Sequence, residues 1–305
     1  MNLRVYCPAA LSAPVQAMLD AHVGVANIAV MAGASTTPVG DLILADVARE
    51  SANEIVDGLV ELGVQKDGGF HLTPVETWVS ERGLAAEEAA PGEEADAVVW
   101  AQVIAHAYDD TSMSWSYIVF LCLATILASI AIVLDSPILV VGAMVLGPDF
   151  GPVAALGLAI VTRRRELLRR ALRLIVIGFV FAIGAATLFA LAGSLLGWVP
   201  DVAVTAPRPG TAFIYHPDRW SIVVAVLAGV AGVLSLTSSS SNALVGVFIS
   251  VTTVPAAGNI ALGLAFGQFD QVRGSALQLL VNIVGMAIAG WLTLLVQRRI
   301  WKPRA

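Results

Sequence analysis

At 305 residues the chain is long enough for one or two domains, but its composition excludes an ordinary soluble globule. Hydrophobic residues make up 57%, charged residues 13%, and the mean hydropathy is +0.81, whereas soluble proteins average about 45–50% apolar and about 25% charged. The formal net charge of -6 hides a segregation, with most of the acid ahead of residue 110, and no basic, aromatic-studded soluble face suggests nucleic-acid binding.

Residues 1–80 read as a small α/β domain. Leu3–Cys7 alternates like a strand, and Ser12 is placed to cap a helix carrying Val15, Met18 and Leu19 on one face. Ala26–Met31 is strand-like, Gly33–Pro38 reads as a loop, and Asp41–Val47 is the next strand. Ser51 and Glu54 form a capping box ahead of Ile55, Leu59 and Leu62, with Gly63 as the stop. Phe70–Val79 closes the domain as a strand, and the order βαββαβ is that of a ferredoxin-like domain. Such a domain binds small effectors or builds oligomers along its sheet edges. His22 and His71 stand alone without ligand-spaced partners, so no metal is expected. The start of the chain has no apolar run of the signal-peptide kind. Cys7 falls in this soluble part and Cys122 in an apolar stretch, so no disulfide joins them.

Residues 81–96 are rich in Ala, Glu, Gly and Pro and read as a flexible acidic linker. From Ala97 to Tyr108, Val98, Val99, Val103 and Ile104 recur on a helical period beside Trp100, which suits an interfacial amphipathic helix over 97–112, His106 being a polar residue of its surface.

The transmembrane domain follows over 113–298, with a basic tail at 299–305. Six apolar stretches approach the length of about 20 residues that a bilayer requires. They cover 116–134, 137–161, 172–196, 220–237, 243–266 and 276–296, with Trp115, Tyr117, Trp198, Trp220 and Trp291 at or near their ends as interfacial aromatics. The 162–173 loop carries six Arg, and the tail adds Arg298, Arg299, Lys302 and Arg304, while the opposite loops hold Arg208, Arg219 and Arg273. The positive-inside rule places both termini in the cytoplasm of a multi-pass protein of the bacterial plasma membrane. The Arg-rich loop also suits contact with anionic lipid. Small residues in the third and fourth spans (Gly178, Gly184, Gly229 and Gly232) permit close helix contact and a homo-oligomer.

The second span is interrupted. Val140–Ile160 is apolar enough to cross a membrane, yet Gly147, Pro148, Asp149, Gly151 and Pro152 break it near its middle. Freed backbone groups in hydrocarbon cost several kcal/mol each, so a broken helix persists only where protein or a water-filled cavity satisfies it. The fifth span repeats the pattern: Val141-Gly142, then Pro148 and Pro152, then Leu156–Leu158 correspond to Val245-Gly246, then Pro255, then Leu262–Leu264. Two three-span halves, 116–196 and 220–296, would then be inverted relative to one another, with paired breaks near mid-bilayer, the arrangement found at transporter binding sites. Asp149 is the carboxylate placed at membrane depth, where a functional role is the default; Asp135 reads as an N-cap, and Asp149 itself has an N-capping alternative. Thr252, Thr253, Asn259, Gln278 and Asn282 complete the polar inventory, with Asn259 placed as interhelical glue and Ser238–Ser241 as a polar turn.

The run Asp135–Met144 followed by Gly147-Pro148 and Gly151-Pro152 resembles the signature of a bacterial and archaeal integral membrane family catalogued as a domain of unknown function. Ser114–Tyr117, Ala243–Val247, Val254-Pro255 and Val281-Asn282 are similar as well, and the N-terminal domain resembles the ferredoxin-like domain of one subgroup. The resemblance implies membrane location and fold but no activity. Where the family usually has Ser-Pro and an apolar residue, this chain has Gly147-Pro148-Asp149, and the usual Pro-Pro is Pro255-Ala256, so Asp149 inherits no family role.

The expected function is a transporter or channel for a small solute or ion. Its site comprises Gly147, Pro148, Asp149, Gly151, Pro152, Thr252, Thr253, Pro255, Asn259 and Asn282. The alternative is a non-transporting membrane sensor or oligomeric scaffold whose N-terminal domain binds an effector. An enzyme is not expected, since one mid-membrane carboxylate, no His-Glu-x-x-His and no phosphate-binding glycine loop leave no catalytic set, and no cofactor is implied.

Overall fold

A computed structural model describes residues 1–75, 77, 79–90, 97–199, 206–216, 218–237 and 253–300. The chain divides into an N-terminal unit, Met1–Val103, and a helical unit that holds Ile104–Leu236 and, among the described residues, 253–300.

In the N-terminal unit, strand β1 (Asn2–Pro8) buries Leu3, Val5 and Cys7 and turns Arg4 outward, the period-2 alternation of a half-buried strand. Helix α1 (Ala9–Asp20) follows, then strands β2 (Val25–Thr36) and β3 (Val39–Val47), helix α2 (Ala52–Glu61), a single helical turn α3 (Val64–Asp67) and strand β4 (Gly69–Thr73). The four strands form an antiparallel sheet in the order β2-β3-β1-β4, with β1 paired to β3 (Val5 opposite Ile43) and to β4 (Val5 opposite Phe70). Val15 and Leu19 of α1 and Ile55 and Leu59 of α2 close the core over Leu3, Val5, Cys7, Ile43 and Val47.

Several local expectations change. Helix α1 starts at Ala9, so Ser12 lies inside it and accepts a hydrogen bond from Gln16 instead of capping. The Gly33–Pro38 stretch is mostly strand. Gly33 takes φ +67° in a bulge of β2, its N–H donates to Asp41 at 2.8 Å, and the chain turns only after Thr36. The capping box at Ser51 does not form, because Ser51 already has helical φ and ψ after a 3-10 turn, and its buried hydroxyl oxygen has no partner among the described residues. Gly63 does end α2, at φ +77°. The last strand stops at Thr73 and does not reach Val79.

The acidic segment expected to be a flexible linker is helical over its first part. Helix α4 (Glu81–Ala89) is capped by Ser80, whose hydroxyl accepts from the Gly83 N–H, and it packs on β2 with Gly83 and Ala86 buried. Its Ala and Glu are strong helix formers, so a cap and a sheet face suffice to order them; residues 91–96 lie outside the described set. Val98 and Val99 belong to the N-terminal unit and not to an amphipathic helix face. Asn53 donates to the Val98 carbonyl at 2.7 Å and accepts from the Trp100 N–H at 3.0 Å, so helix α5 (Trp100–Asp110) starts directly after Val99.

Among the described residues, the helical unit contains four helices long and apolar enough to cross a membrane: α6 (Trp115–Val133), α9 (Arg165–Leu195), α10 (Arg219–Thr237) and α12 (Phe269–Ile300). Between α6 and α9 lie α7 (Pro137–Leu146) and α8 (Phe150–Val161), bent by 58° at their break, which together make a fifth candidate span. Of the expected fifth stretch, α11 (Val254–Ala265) is described and 243–252 lie outside. Helices α9 and α12 each begin about two turns earlier than the apolar stretches suggest, so Arg165, Arg169, Arg170 and Arg173 are helical and Arg170 pairs with Glu166 one turn away.

Helix α9 shows how the unit is organised. Gly178, Ala182, Ala186 and Ala190 are buried at four-residue spacing, while Val180 and Leu188 are 65% and 69% exposed. The first half of the helix also buries Leu167, Leu174, Ile175 and Phe179, so its inner face is large and apolar there and small beyond, while further large apolar groups face outward as hydrocarbon permits. The short helices are instead enclosed: every residue from Val254 to Gly263 of α11 is buried, and so is nearly all of α8 from Pro152 to Val161. Helix α11 packs on α6, α9 and α12, and α8 packs on α9 and α12. Glycine sets these approaches. A Cβ on Gly258 would lie 3.0 Å from the Ser129 nitrogen of α6, and one on Gly157 would lie 2.8 Å from the Trp291 nitrogen of α12. Gly178 and Gly229, offered as oligomer contacts, are used within the chain against Tyr117 and Met286, whereas Gly184 meets nothing within 4 Å. Trp115, Trp198 and Trp220 are exposed as interfacial residues should be, but Tyr117 is buried inside the unit.

Truncating Leu59 to Ala should lower the opening free energy of the β1 and β3 amides by about 2–5 kcal/mol in hydrogen exchange. Val60→Ala, on the exposed side of the same helix, should change it by less than about 0.5 kcal/mol.

Candidate functional site

The break between α7 and α8 follows from three residues. Gly147 ends α7 in extended backbone (φ -75°, ψ 125°), the conformation a following proline favours. Pro148 brings no N–H, and Asp149 takes the N-cap position of α8. Gly147 is held close: a Cβ there would fall 2.7 Å from a Val254 methyl and 2.9 Å from Asp149 Oδ1. The two prolines read as mid-span interruptions are helix starts instead. Pro152 is the third residue of α8 and Pro255 the second of α11, positions whose N–H would have no intrahelical partner in any case. The break expected at Pro255 is therefore a helix from Val254 onward, with Thr252 outside the described residues.

Asp149 is fully buried. Its side chain does not cap α8, because its own φ and ψ are helical. Its Oδ2 instead accepts a hydrogen bond from the hydroxyl of Thr253, the N-cap residue of α11. The starts of the two enclosed helices thus meet through one carboxylate and one hydroxyl. The other oxygen, Oδ1, is buried with no donor among the described residues, as is the Tyr117 hydroxyl. Gly151, in the first turn of α8, faces the Asp110 carboxyl, whose Oδ2 would lie 2.8 Å from a Cβ at that glycine. The structure brings Gly147, Pro148, Asp149, Gly151, Pro152, Thr253 and Pro255 together. Asn282 lies on α12 and accepts a hydrogen bond from Gln278 at 3.2 Å.

Asn259 belongs to a second polar cluster. Its Nδ2 donates to Ser275 at 2.9 Å, the α11-to-α12 glue expected of it, and its Oδ1 accepts from Arg208 at 3.4 Å. Arg208, expected in an outside loop, is only 3% exposed. It also donates to Gln271 and lies 5.2 Å over the Tyr215 ring. Burial pulls the guanidinium pKa down, with nearby Tyr215 and Asp135 opposing. Asp135 is not an N-cap: Ser136 caps α7 by accepting from the Leu139 N–H. Asp135, at φ +46°, accepts from the Gly210 N–H (3.1 Å) and the Thr211 hydroxyl (2.9 Å), anchoring the loop that carries Arg208. A lone Arg between Pro207 and Pro209 has no periodicity to mark it as buried, which is why sequence reasoning misses it.

Long apolar helices around enclosed shorter ones are consistent with a multi-pass membrane protein. Residues 144–288, a stretch that runs from the end of α7 through the break and α11 into α12, match the family described as Domain of unknown function (DUF389). An uncharacterized protein of Methanocaldococcus jannaschii is 27% identical over 203 residues, 67% of this chain and 61% of that protein. The chain thus matches less than two thirds of this relative's length. No solved structure matches.

Replacing Thr253 by Val should leave the buried Asp149 carboxylate without its donor and destabilise the helical unit by about 1–3 kcal/mol. Thr253→Ser should stay near the parent, the comparison being thermal unfolding of purified protein in detergent.

Proposed function

We propose that the helical unit moves a small solute or ion across the membrane, with its site where α8 and α11 start. The observation that carries this reading is Asp149, a fully buried carboxylate held by Thr253 through one oxygen while the other has no donor among the described residues. A carboxylate is expensive inside a membrane protein and is kept where it takes up a proton or a cation. Enclosing both short helices behind longer ones also supplies the protein surroundings that an irregular backbone needs at membrane depth.

The equal twelve-residue lengths of α8 and α11, and their common position before a long helix, support two inverted halves in a six-span topology. Arg clusters at the start of α9 and the end of α12 favour both termini in the cytoplasm of a bacterial plasma membrane. The strand order β2-β3-β1-β4, with a helix after β1 and another after β3, supports a ferredoxin-like N-terminal domain. The open face at Gly184 of α9 is a place for a second copy or for lipid.

Reconstituted in liposomes, the protein should pass ions or exchange solute above the level of empty vesicles, and Asp149→Asn should drop to that level while keeping a cooperative melt. Silence of the parent in ion-flux and counterflow screens would overturn transport. Unchanged flux in Asp149→Asn would remove that residue from the mechanism.

A further inference from the structure

Arg208 is a buried cation whose bonded neighbours are neutral. Its three hydrogen-bonding and ring partners are the Asn259 and Gln271 amides and the Tyr215 ring, and it forms no ion pair among the described residues. Its Nε–H is buried with no acceptor among them. The acid that acts on it is Asp135, whose two oxygens accept from the Gly210 N–H and the Thr211 hydroxyl. Withdrawing a guanidinium from water is costly unless an anion compensates it. Guanidinium also has a fixed fork of donors that matches an oxyanion in two places at once, and amides hold only part of that fork here.

We propose that Arg208 binds a small oxyanion, phosphate-like or carboxylate, between the Pro207–Tyr215 loop and α11. The Nε edge of the guanidinium meets the anion, and Asn259 and Gln271 keep the plane of the fork fixed. The loop is pinned for this role by Asp135, and Ser275 holds Asn259 by accepting from its amide. This site is separate from the Asp149–Thr253 junction. Thr253 precedes the first turn of α11 and Asn259 lies six residues further on, about 9 Å along a helix axis. The anion site therefore stands or falls independently of the transport reading.

The test uses full-length protein in detergent, melted against inorganic phosphate at constant ionic strength. The parent should show a saturable rise in Tm, as a ligand that binds only the folded state requires. Arg208→Gln should lose that rise. Asn259→Asp places a carboxylate on the guanidinium within the chain and should raise the starting Tm while abolishing the phosphate response, which keeps the test informative if Arg208→Gln does not fold. Native mass spectrometry after purification with phosphatidylglycerol separates a free anion from a lipid headgroup, since a retained lipid adduct lost in Asn259→Asp assigns the oxyanion to lipid. Absence of both a saturable phosphate response and an adduct sensitive to residue 208 or 259 would overturn the proposal. So would a phosphate response that Asn259→Asp leaves unchanged.

Discussion

The helical unit depends on the fact that hydrocarbon offers backbone N–H and C=O groups nothing to bond with. A chain that interrupts a span must therefore carry its own partners to the interruption. Here the partners are other helices: α8 and α11 are buried along nearly their whole lengths, and the long helices α6, α9 and α12 pack around them. The bond from Thr253 to Asp149 joins the two enclosed starts.

That enclosure explains the use of glycine and alanine. In water, burial of large side chains drives packing, and the N-terminal unit follows that rule with Leu3, Leu19, Ile43, Ile55 and Leu59 all fully buried. In lipid the same side chains gain little by turning inward, so close contact and interhelical bonds take over. Gly157 and Gly258 allow backbones to approach α12 and α6, and Ser129 of α6 uses the space to donate to the Gly258 carbonyl at 3.1 Å. The helical unit adds such close backbone contacts to large side chains that it too buries, among them Leu121, Ile132, Leu174 and Leu262.

Helix α11 connects two kinds of polar chemistry. Its start meets a carboxylate, and its middle meets a guanidinium through Asn259. In an apolar surrounding each such group is expensive alone, and among the described residues each has neutral hydrogen-bonding partners and no direct ion pair. This leaves Asp149 Oδ1 and Arg208 Nε as buried polar atoms with capacity to bond something more.

Much of this was legible in the residues alone, because it depends on composition and local chemistry. Apolar length marked α6, α9, α10 and α12, period-2 and period-3.6 patterns marked β1 to β3 and α2, and Gly147-Pro148 marked the break, since a missing N–H acts wherever it is placed. Other features were decided only by tertiary contact. Ser80 and the face of β2 turned an acidic linker into α4, and Asn53 drew Val98 and Val99 out of α5. Asp135 left a capping role for the loop at Gly210, and Pro152 and Pro255 proved to start helices that long-range packing encloses. The partner of Asp149, 104 residues away, and the burial of Arg208 carry no local signal at all. A hydrogen bond or a buried charge is set by what the fold brings within reach, and sequence spacing reports only what lies within a turn or a strand.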